Sequence, residues 1–312
     1  MNGLSILVVG AGFLGRAIAL RLSGTGHRIT VLSPHARETP WPEGIDTMNG
    51  RQEDHALMNR LLADNDAVIH VAWGTTPNSS AGRPALEAER GLDPFLAFFE
   101  TLQRFSEVRL LFLSSGGTVY GETGGQPVGE ERPMQPLSCH GAGKAAAETF
   151  LGMRRTERTL ILRPSNIYGP GQGMRSGFGV VPHLLRCAAE GRPFQMWGDG
   201  SQVRDYLYVD DFADAVSVLL ARPEVSGTFN LGSGSGTSLN ELVGLVEGVT
   251  GREVRIERHP PRPGDVARIV LNAGRLTRAT GWLPVTRLAE GIGRAWLWLQ
   301  QGDGLLARRG DV

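Results

Sequence analysis

The stretch from Ile6 to Gly15, ILVVGAGFLG, constrains what this chain can fold into more than any other. Ile6 to Val9 reads as a buried strand, Gly10, Gly12 and Gly15 as a turn, and the apolar residues of the following RAIALRL recur at helical spacing. Each glycine meets a separate demand: a sharp bend at 10, close approach of backbone amides to a pyrophosphate at 12, and tight helix-on-strand packing at 15. The helix behind the turn offers free N–H groups and a positive dipole end to an anion. At the start of an α/β pattern this unit predicts a dinucleotide site, the alternative being a plain strand-to-helix turn.

A chain of 312 residues has ample material for a hydrophobic core, as one large domain or two moderate ones. Lys plus Arg and Asp plus Glu each total 32, so no bulk field recruits nucleic acid or an anionic membrane, and neither is an expected partner. Phosphate recognition then falls to local arginines. The two cysteines, Cys139 and Cys187, cannot form a disulfide framework and suit a reducing cytosol. No apolar run is long enough to cross a bilayer, and the first strand starts too near Met1 for a signal peptide, so a cytoplasmic protein is expected. No metal site is expected. The 43 glycines lie singly, without a period, as loop punctuation.

His27 to Ser33 (HRITVLS) reads as the second strand. An acid at the end of that strand takes the ribose hydroxyls of a dinucleotide, whereas a nearby arginine takes a 2′-phosphate. Here Ser33 stands there with His35 and Arg37 beyond it, a lean towards NADP over NAD, the alternative being solvated loop side chains. Ala67 to Ala72 (AVIHVA) is another buried strand, with His70 a packed core residue. Pro84 to Phe105 reads as a helix with Leu86, Leu92, Leu96, Phe99 and Leu102 near one face, interrupted by Gly91 and Pro94. Leu110 to Leu113 and Leu160 to Leu162 complete the alternation that a doubly wound parallel sheet requires. Ser238 to Thr250 reads as an amphipathic helix with Ser238 as N-cap and Glu241 three residues later. Leu288 to Leu299 forms a closing helix with Ile292, Trp296 and Leu299 towards the core. Cys187 lies on the apolar side of a Pro182 to Glu190 helix, and the polar tail after Gln300 is expected to fray.

GAGFLG, VIHVA, SSGGTVYG (Ser114 to Gly121), a helix containing Lys144, LRPSNIYGPGQG (Leu162 to Gly173) and WGDGSQVRDYLYVDD (Trp197 to Asp211) follow one another in an order that resembles the extended short-chain dehydrogenases/reductases, which are nucleotide-sugar epimerases, dehydratases and reductases. The resemblance runs to about Trp298. It implies an α/β fold: a doubly wound parallel Rossmann sheet for NAD or NADP, with a smaller C-terminal α/β substrate domain closing over a nucleotide diphosphate sugar. Residues 1–165, with 203–231 returning to them, would bind the dinucleotide, 166–202 and 232–300 the sugar nucleotide, and 301–312 would be a tail. Cofactor contacts are implied for Gly10, Gly12, Phe13, Leu14, Gly15, Ser33, Arg37, Ala72 and Lys144. Homodimers would form through the lysine helix and the one before it, for which the Leu and Phe face of Pro84 to Phe105 is suited.

In this family a Tyr-x-x-x-Lys pair on one helix manages the proton. A spacing of four puts both side chains on one face, where the ammonium lowers the phenol pKa and holds the nicotinamide ribose. This chain reads Ser138-Cys-His-Gly-Ala-Gly-Lys144, with His140 in the tyrosine position. Imidazole titrates near ~6.5, whereas a phenol near ~10 must be tuned downward, so a neutral His140 beside Lys144 can exchange a proton directly. Reach argues against it: an imidazole ends roughly 2 Å short of a phenolic oxygen, and ~1 Å of misplacement can lose about a hundredfold. A bridging water or a deeper-seated sugar would be needed. The alternatives are a structural or substrate-positioning histidine, and loss of redox activity. Cys139 points to another face and is expected to be a small buried hydrophobe. Counting back from Tyr120, the family's sugar-binding hydroxyl falls at Gly116; Thr118 or Ser115 can replace it, unless both merely cap the strand end. Tyr120 is a further candidate proton donor. Arg51 stands where the family commonly has an acid near the adenine.

The substrate half departs less. Asn166 in SNIYGP matches the family's asparagine at the sugar diphosphate, Arg204 in SQVRDY its pyrophosphate arginine, and Arg262 with Asp265 in PPRPGDV a second arginine and a ribose-gripping acid. A guanidinium fork suits phosphate oxygens and a carboxylate suits a vicinal diol. The segment Phe194 to Trp197, reached from a helix beginning near Val181, resembles the portion that sandwiches a pyrimidine base, making Val181, Gln195 and Trp197 candidates. Surface ion pairing is the alternative for each arginine. The leading expectation is an NAD(P)-dependent enzyme acting on a UDP- or dTDP-hexose as epimerase, dehydratase or 4-keto reductase, with His140 and Lys144 in place of the Tyr-Lys pair. A redox-inactive protein that binds both nucleotides competes with it. An enzyme on a non-nucleotide ketone is a third reading, opposed by Arg204, Arg262 and Asp265.

Overall fold

A strand that is apolar on both faces is stable only in a sheet covered by helices on both sides. The computed structural model, which describes residues 3–38, 40–154, 156–173, 179–261 and 265–301, has such a sheet. β1 (Ser5–Val9) passes through the glycine turn into α1 (Phe13–Leu22), followed by β2 (Arg28–Ser33), β3 (Ile45–Asn49), α2 (His55–Ala63) and β4 (Ala67–His70). The helix read from Pro84 to Phe105 is divided into α3 (Pro84–Glu87), a π turn (Ala88–Leu92) and α4 (Asp93–Leu102). The π turn contains Gly91, and Pro94 lies in the first turn of α4, where its missing N–H costs nothing. Then come β5 (Arg109–Leu113), a single turn α5 (Gly116–Val119), α6 (Cys139–Leu151) and β6 (Thr159–Pro164). The remainder is β7 (Asn166–Tyr168), α7 (Val180–Glu190), β8 (Phe194–Trp197), β9 (Val203–Tyr208), α8 (Val209–Leu220), β10 (Gly227–Leu231), β11 (Gly236–Ser238), α9 (Leu239–Thr250), β12 (Ile256–His259), β13 (Arg268–Ile269), α10 (Gly274–Thr280) and α11 (Leu288–Gln300).

Seven strands pair in parallel in the order β10-β6-β5-β4-β1-β2-β3. The chain reverses direction across the sheet between β1 and β4, and the crevice beyond the carboxyl ends of such a pair is where open α/β sheets bind ligands. One face packs Ile6, Val8, Ile29 and Val31 against Ile18 and Leu22 of α1 and Phe212, Val216 and Leu219 of α8. The other packs Leu7, Val9 and Val68 against Met58 and Leu62 of α2, Phe95 and Phe98 of α4, and Ala147 and Leu151 of α6. His70 is fully buried there among Phe95, Phe98 and Phe112, its Nε2 2.5 Å from Gln52 Oε1, as a packed core histidine should be. A separate core joins α7, α9 and α11 to β8 and β9, and includes Cys187, Ile292, Trp296 and Leu299. β9 pairs with β11, β13 and β7, and β8 with β12. Ser238 and Glu241 complete a reciprocal capping box on α9.

Two expectations need correction. Of the Leu and Phe face offered for pairing of copies, Phe99 and Leu102 are buried within the chain's own core beside Phe95 and Phe98, while Leu86, Leu92 and Leu96 are half-buried. Cys139 is half-exposed at the start of α6, on another face from the buried His140, and is no core hydrophobe. Among the described residues no helix is long and apolar enough to cross a membrane. The tail beyond residue 301 lies outside them.

The three glycines of the turn do not carry the same load. Gly10 has φ +113°, and a Cβ there would lie 2.9 Å from the Ala72 amide nitrogen; a Cβ on Gly15 would lie 1.9 Å from the Gly10 carbonyl oxygen, whereas one on Gly12 would meet nothing within 4 Å. Gly15→Ala is therefore expected to lower stability by at least ~2 kcal/mol, and Gly12→Ala to leave it within about 0.5 kcal/mol. Urea unfolding of both variants checks this, and equal losses would contradict it.

Candidate active site

Gly12 leaves open the space in front of α1, whose first turn has no side-chain cap and no acidic residue. An uncapped, unobstructed helix N-terminus after a parallel strand fits a dinucleotide pyrophosphate. Leu14 packs beside the sheet core and Phe13 against the core of the second half; Gly171 of the YGPG loop approaches the Phe13 ring. The Ala72 N–H donates to the Val9 carbonyl at 2.9 Å, which seats the segment after β4 beside the glycine turn. At the far end, Ser33 is half-buried, Arg37 is exposed with its N–H on Asn49 Oδ1 at 2.9 Å, and His35 pairs with Glu38 at 3.0 Å.

His140 and Lys144 lie one helical turn apart on α6, both buried. Lys144 Nζ donates to the Leu113 carbonyl at 2.7 Å, where β5 ends, and sits 3.9 Å from the Trp73 ring centre and 4.9 Å from that of Phe112. His140 Nδ1 is 3.3 Å from Thr75 Oγ1 and 3.9 Å from Glu87 Oε2. Trp73, Thr75 and Glu87 went unnoticed in the sequence: none has a motif, and only the fold brings them to α6. Burial, with a smaller push from Lys144, lowers the His140 pKa to about 4, Glu87 opposing it. Burial lowers Lys144 to about 7 against the pull of Glu87 and Glu148. The imidazole is thus neutral near pH 7 and the ammonium is poised to titrate there, an arrangement suited to proton exchange.

The hydroxyls divide. Thr118 Oγ1 is buried without a partner, as is Ser165 Oγ, and each follows the carboxyl end of a sheet strand. Such orphaned groups call for a ligand or water. Ser115 occupies the N-cap position of α5, yet its side chain makes no cap bond. Gly116 cannot carry a hydroxyl, since a Cβ there would lie 2.5 Å from Leu271 Cδ1 and 2.8 Å from the Arg163 carbonyl oxygen. Tyr120 is no proton donor to a ligand: it is fully buried, donates to Asn230 Oδ1 at 2.6 Å and accepts from Arg163 Nη1 at 2.8 Å. Arg163 in turn is bound to Glu148, which also accepts from Ser114 Oγ, a closed network beneath the site.

In the second half, Asn166 is exposed and donates to the Asp205 carbonyl at 3.0 Å. Arg204 donates to the Val203 carbonyl at 2.9 Å. Its guanidinium pKa is lowered by burial. Val181 is buried and, with Gly169, Gln172 and Leu185, lines a small cavity beside α7 and α11. Gln195 donates to Glu257 Oε2 at 2.7 Å and is paired with His259, on which Trp197 stacks at 5.0 Å. Asp265 is exposed, and Arg262 lies outside the described residues.

A doubly wound sheet with an open glycine turn, and a buried histidine–lysine pair beyond the carboxyl ends of its strands, define a dinucleotide-dependent enzyme. The model of the NAD dependent epimerase/dehydratase family matches residues 6–232, and the chain belongs to that family. Its cofactor is accordingly NAD or NADP. It is 34% identical over 301 residues to a UDP-glucose 4-epimerase of Mycolicibacterium smegmatis, covering 92% of this chain and 96% of that one. The UDP-glucose 4-epimerase of Thermus thermophilus in complex with NAD superimposes with a TM-score of 0.86 at 30% identity, over 99% of this chain and 100% of the other. That of Thermotoga maritima with UDP-glucose gives 0.87 at 28%, over 96% and 99%.

Burial lowers the pKa of His70 to about 3 as well. Free imidazole titrates near ~6.5, so between pH 6.5 and 4 the unfolded chain binds protons that these two folded-state histidines refuse, and stability falls as pH falls through that window. The protein is expected to be on the order of 3 kcal/mol less stable at pH 5 than at pH 7. Urea titrations at both values check this, and His140→Asn should show a shallower dependence; an unchanged slope would contradict the assignment.

Proposed function

We propose that this protein is an NAD(P)-dependent 4-epimerase of a UDP-linked sugar in which His140 and Lys144 replace the Tyr-Lys pair. The carrying observation is the placement of these two buried side chains against Trp73 and Thr75, on the segment that leaves β4 beside the glycine turn. Several relatives are named UDP-glucose 4-epimerases, which supports this reaction and this sugar class.

In this reading residues 1–165 with 203–231 hold the dinucleotide, through Gly10, Gly12, Gly15, Phe13, Leu14 and Ala72, and 166–202 with 232–300 hold the sugar nucleotide. Nicotinamide supplies reversible hydride exchange at the sugar carbon. His140 Nε2, which has no hydrogen-bond partner among the described residues, takes the proton of the sugar hydroxyl and returns it after the ring has turned over. Burial, with a smaller push from Lys144, keeps the imidazole neutral, and Lys144 has N–H groups to spare for the nicotinamide ribose. Thr118 and Ser115 would bind the reacting oxygen, Asn166 and Arg204 the pyrophosphate, Arg262 and Asp265 the phosphate and ribose, and Gln195 with Trp197 the base. Copies would pair on the α6 side, where Leu137, Phe150 and Met153 are exposed. A reducing cytoplasm suits the two free cysteines.

Incubation with a panel of UDP- and dTDP-sugars is expected to show interconversion of a UDP-sugar with its 4-epimer, with kcat falling about 10²- to 10³-fold in His140→Ala. A wild type that turns nothing over while His140→Tyr gains activity would overturn the assignment. For the cofactor, Ser33 and Arg37 favour NADP: wild type should bind NADP more tightly than NAD, and Arg37→Ala should lose the difference, by about 1.4 kcal/mol or tenfold in Kd. Equal affinities before and after would remove Arg37.

A further inference from the structure

Glu87 is a buried carboxylate that the reaction just described does not use. It is 3% exposed at the end of α3, immediately before the π turn, and two glycines on two other segments make room for it. A Cβ on Gly143 of α6 would lie 2.5 Å from Glu87 Oε1, and one on Gly91 of the π turn 2.7 Å from it. Burying a carboxylate is costly unless its oxygens are bonded. Here Oε1 accepts from Trp73 Nε1 at 2.8 Å and Oε2 from Thr75 Oγ1 at 2.6 Å.

Those bonds have a direction. The indole can only donate, and the Thr75 hydroxyl spends its single proton on the carboxylate. Only lone pairs of Thr75 Oγ1 are then left to face His140 Nδ1 at 3.3 Å, so Nδ1 must carry the imidazole proton and donate it. Nε2 is left as the lone-pair nitrogen. The charged groups that face the ring are Glu87 from α3 and Lys144 from its own helix, with Glu148 acting on Lys144.

We propose that Glu87, acting through Thr75, is the positioning residue that locks His140 in the Nδ1–H tautomer and so leaves Nε2 free to take the substrate's hydroxyl proton. The sugar O–H bond breaks and an Nε2–H bond forms; the hydride on the same carbon goes to the nicotinamide dinucleotide. The imidazolium formed lies beside the Glu87 charge, and reversal of both transfers restores the starting state. The sugar chemistry rests on the epimerase reading, but the tautomer does not.

The test is histidine-selective 15N NMR of the full chain at pH 7, with His140 assigned by its loss in His140→Gln, together with kinetics on the substrate found in the panel. In Glu87→Gln the indole still requires an oxygen, so the amide NH₂ turns to Thr75, pushes its proton towards Nδ1 and inverts the relay. The expected result is an Nδ1–H ring in wild type and an Nε2–H ring in Glu87→Gln, with KM within about threefold of wild type and kcat down about 10²-fold. Thr75→Val removes the acceptor without supplying a donor, so the ring is expected to lose its single tautomer for a mixture and kcat to fall, while Thr75→Ser should behave like wild type, which covers the case in which Glu87→Gln does not fold. An Nε2–H ring in wild type, or an unchanged tautomer and kcat in Thr75→Val, would overturn the proposal. A wild type with no turnover but an Nδ1–H ring that Thr75→Val turns into a mixture of tautomers would uphold it and count against the epimerase reading alone.

Discussion

The contact of Gly15 with the Gly10 carbonyl sets how closely α1 approaches the sheet, and the rest of the carboxyl edge is placed from there. With no Cβ in the way, the turn closes under Val71 and Ala72, and the segment leaving β4 is held against β1. Trp73 and Thr75 are therefore delivered to α6 by backbone packing and not by any preference of their own. The open space at Gly12 is the complement of that closeness: the same turn is crowded where it meets protein and empty where it meets solvent.

A second absence of side-chain atoms does comparable work at α6. Gly141 packs on the Thr118 carbonyl and Gly143 on the Glu87 carboxylate, so the helix comes near enough for Glu87, Thr75 and Trp73 to surround His140 and Lys144. In that water-poor setting the charged forms are disfavoured, and both basic groups titrate well below their usual ranges. The network of Arg163, Glu148, Ser114, Tyr120 and Asn230 lies underneath with its bonds satisfied internally, which marks it as structural.

Much of this could be read along the chain. The strand at Ile6 to Val9, the glycine turn, the core role of His70, the capping box at Ser238 and the buried face of α11 are local patterns that the structure reproduces. Pro84 to Phe105 shows the limit. Its apolar spacing permitted a surface stripe, but the π turn rotates the following residues by an extra fraction of a turn and sends Phe95 and Phe98 inward. Tyr120 was legible as a polar aromatic but not as the partner of Arg163 and Asn230, which approach it from β6 and β10.

The sequence by itself determined the parallel α/β alternation, the dinucleotide turn and the exchange of tyrosine for histidine at position 140, because each depends on neighbours within a few residues. Only the tertiary structure decided what surrounds that histidine. Glu87 and Thr75 reach it through the pairing of β4 with β5 and the docking of α3 on α6, and a buried hydrogen-bond direction exists only once distant donors and acceptors have been brought together away from water.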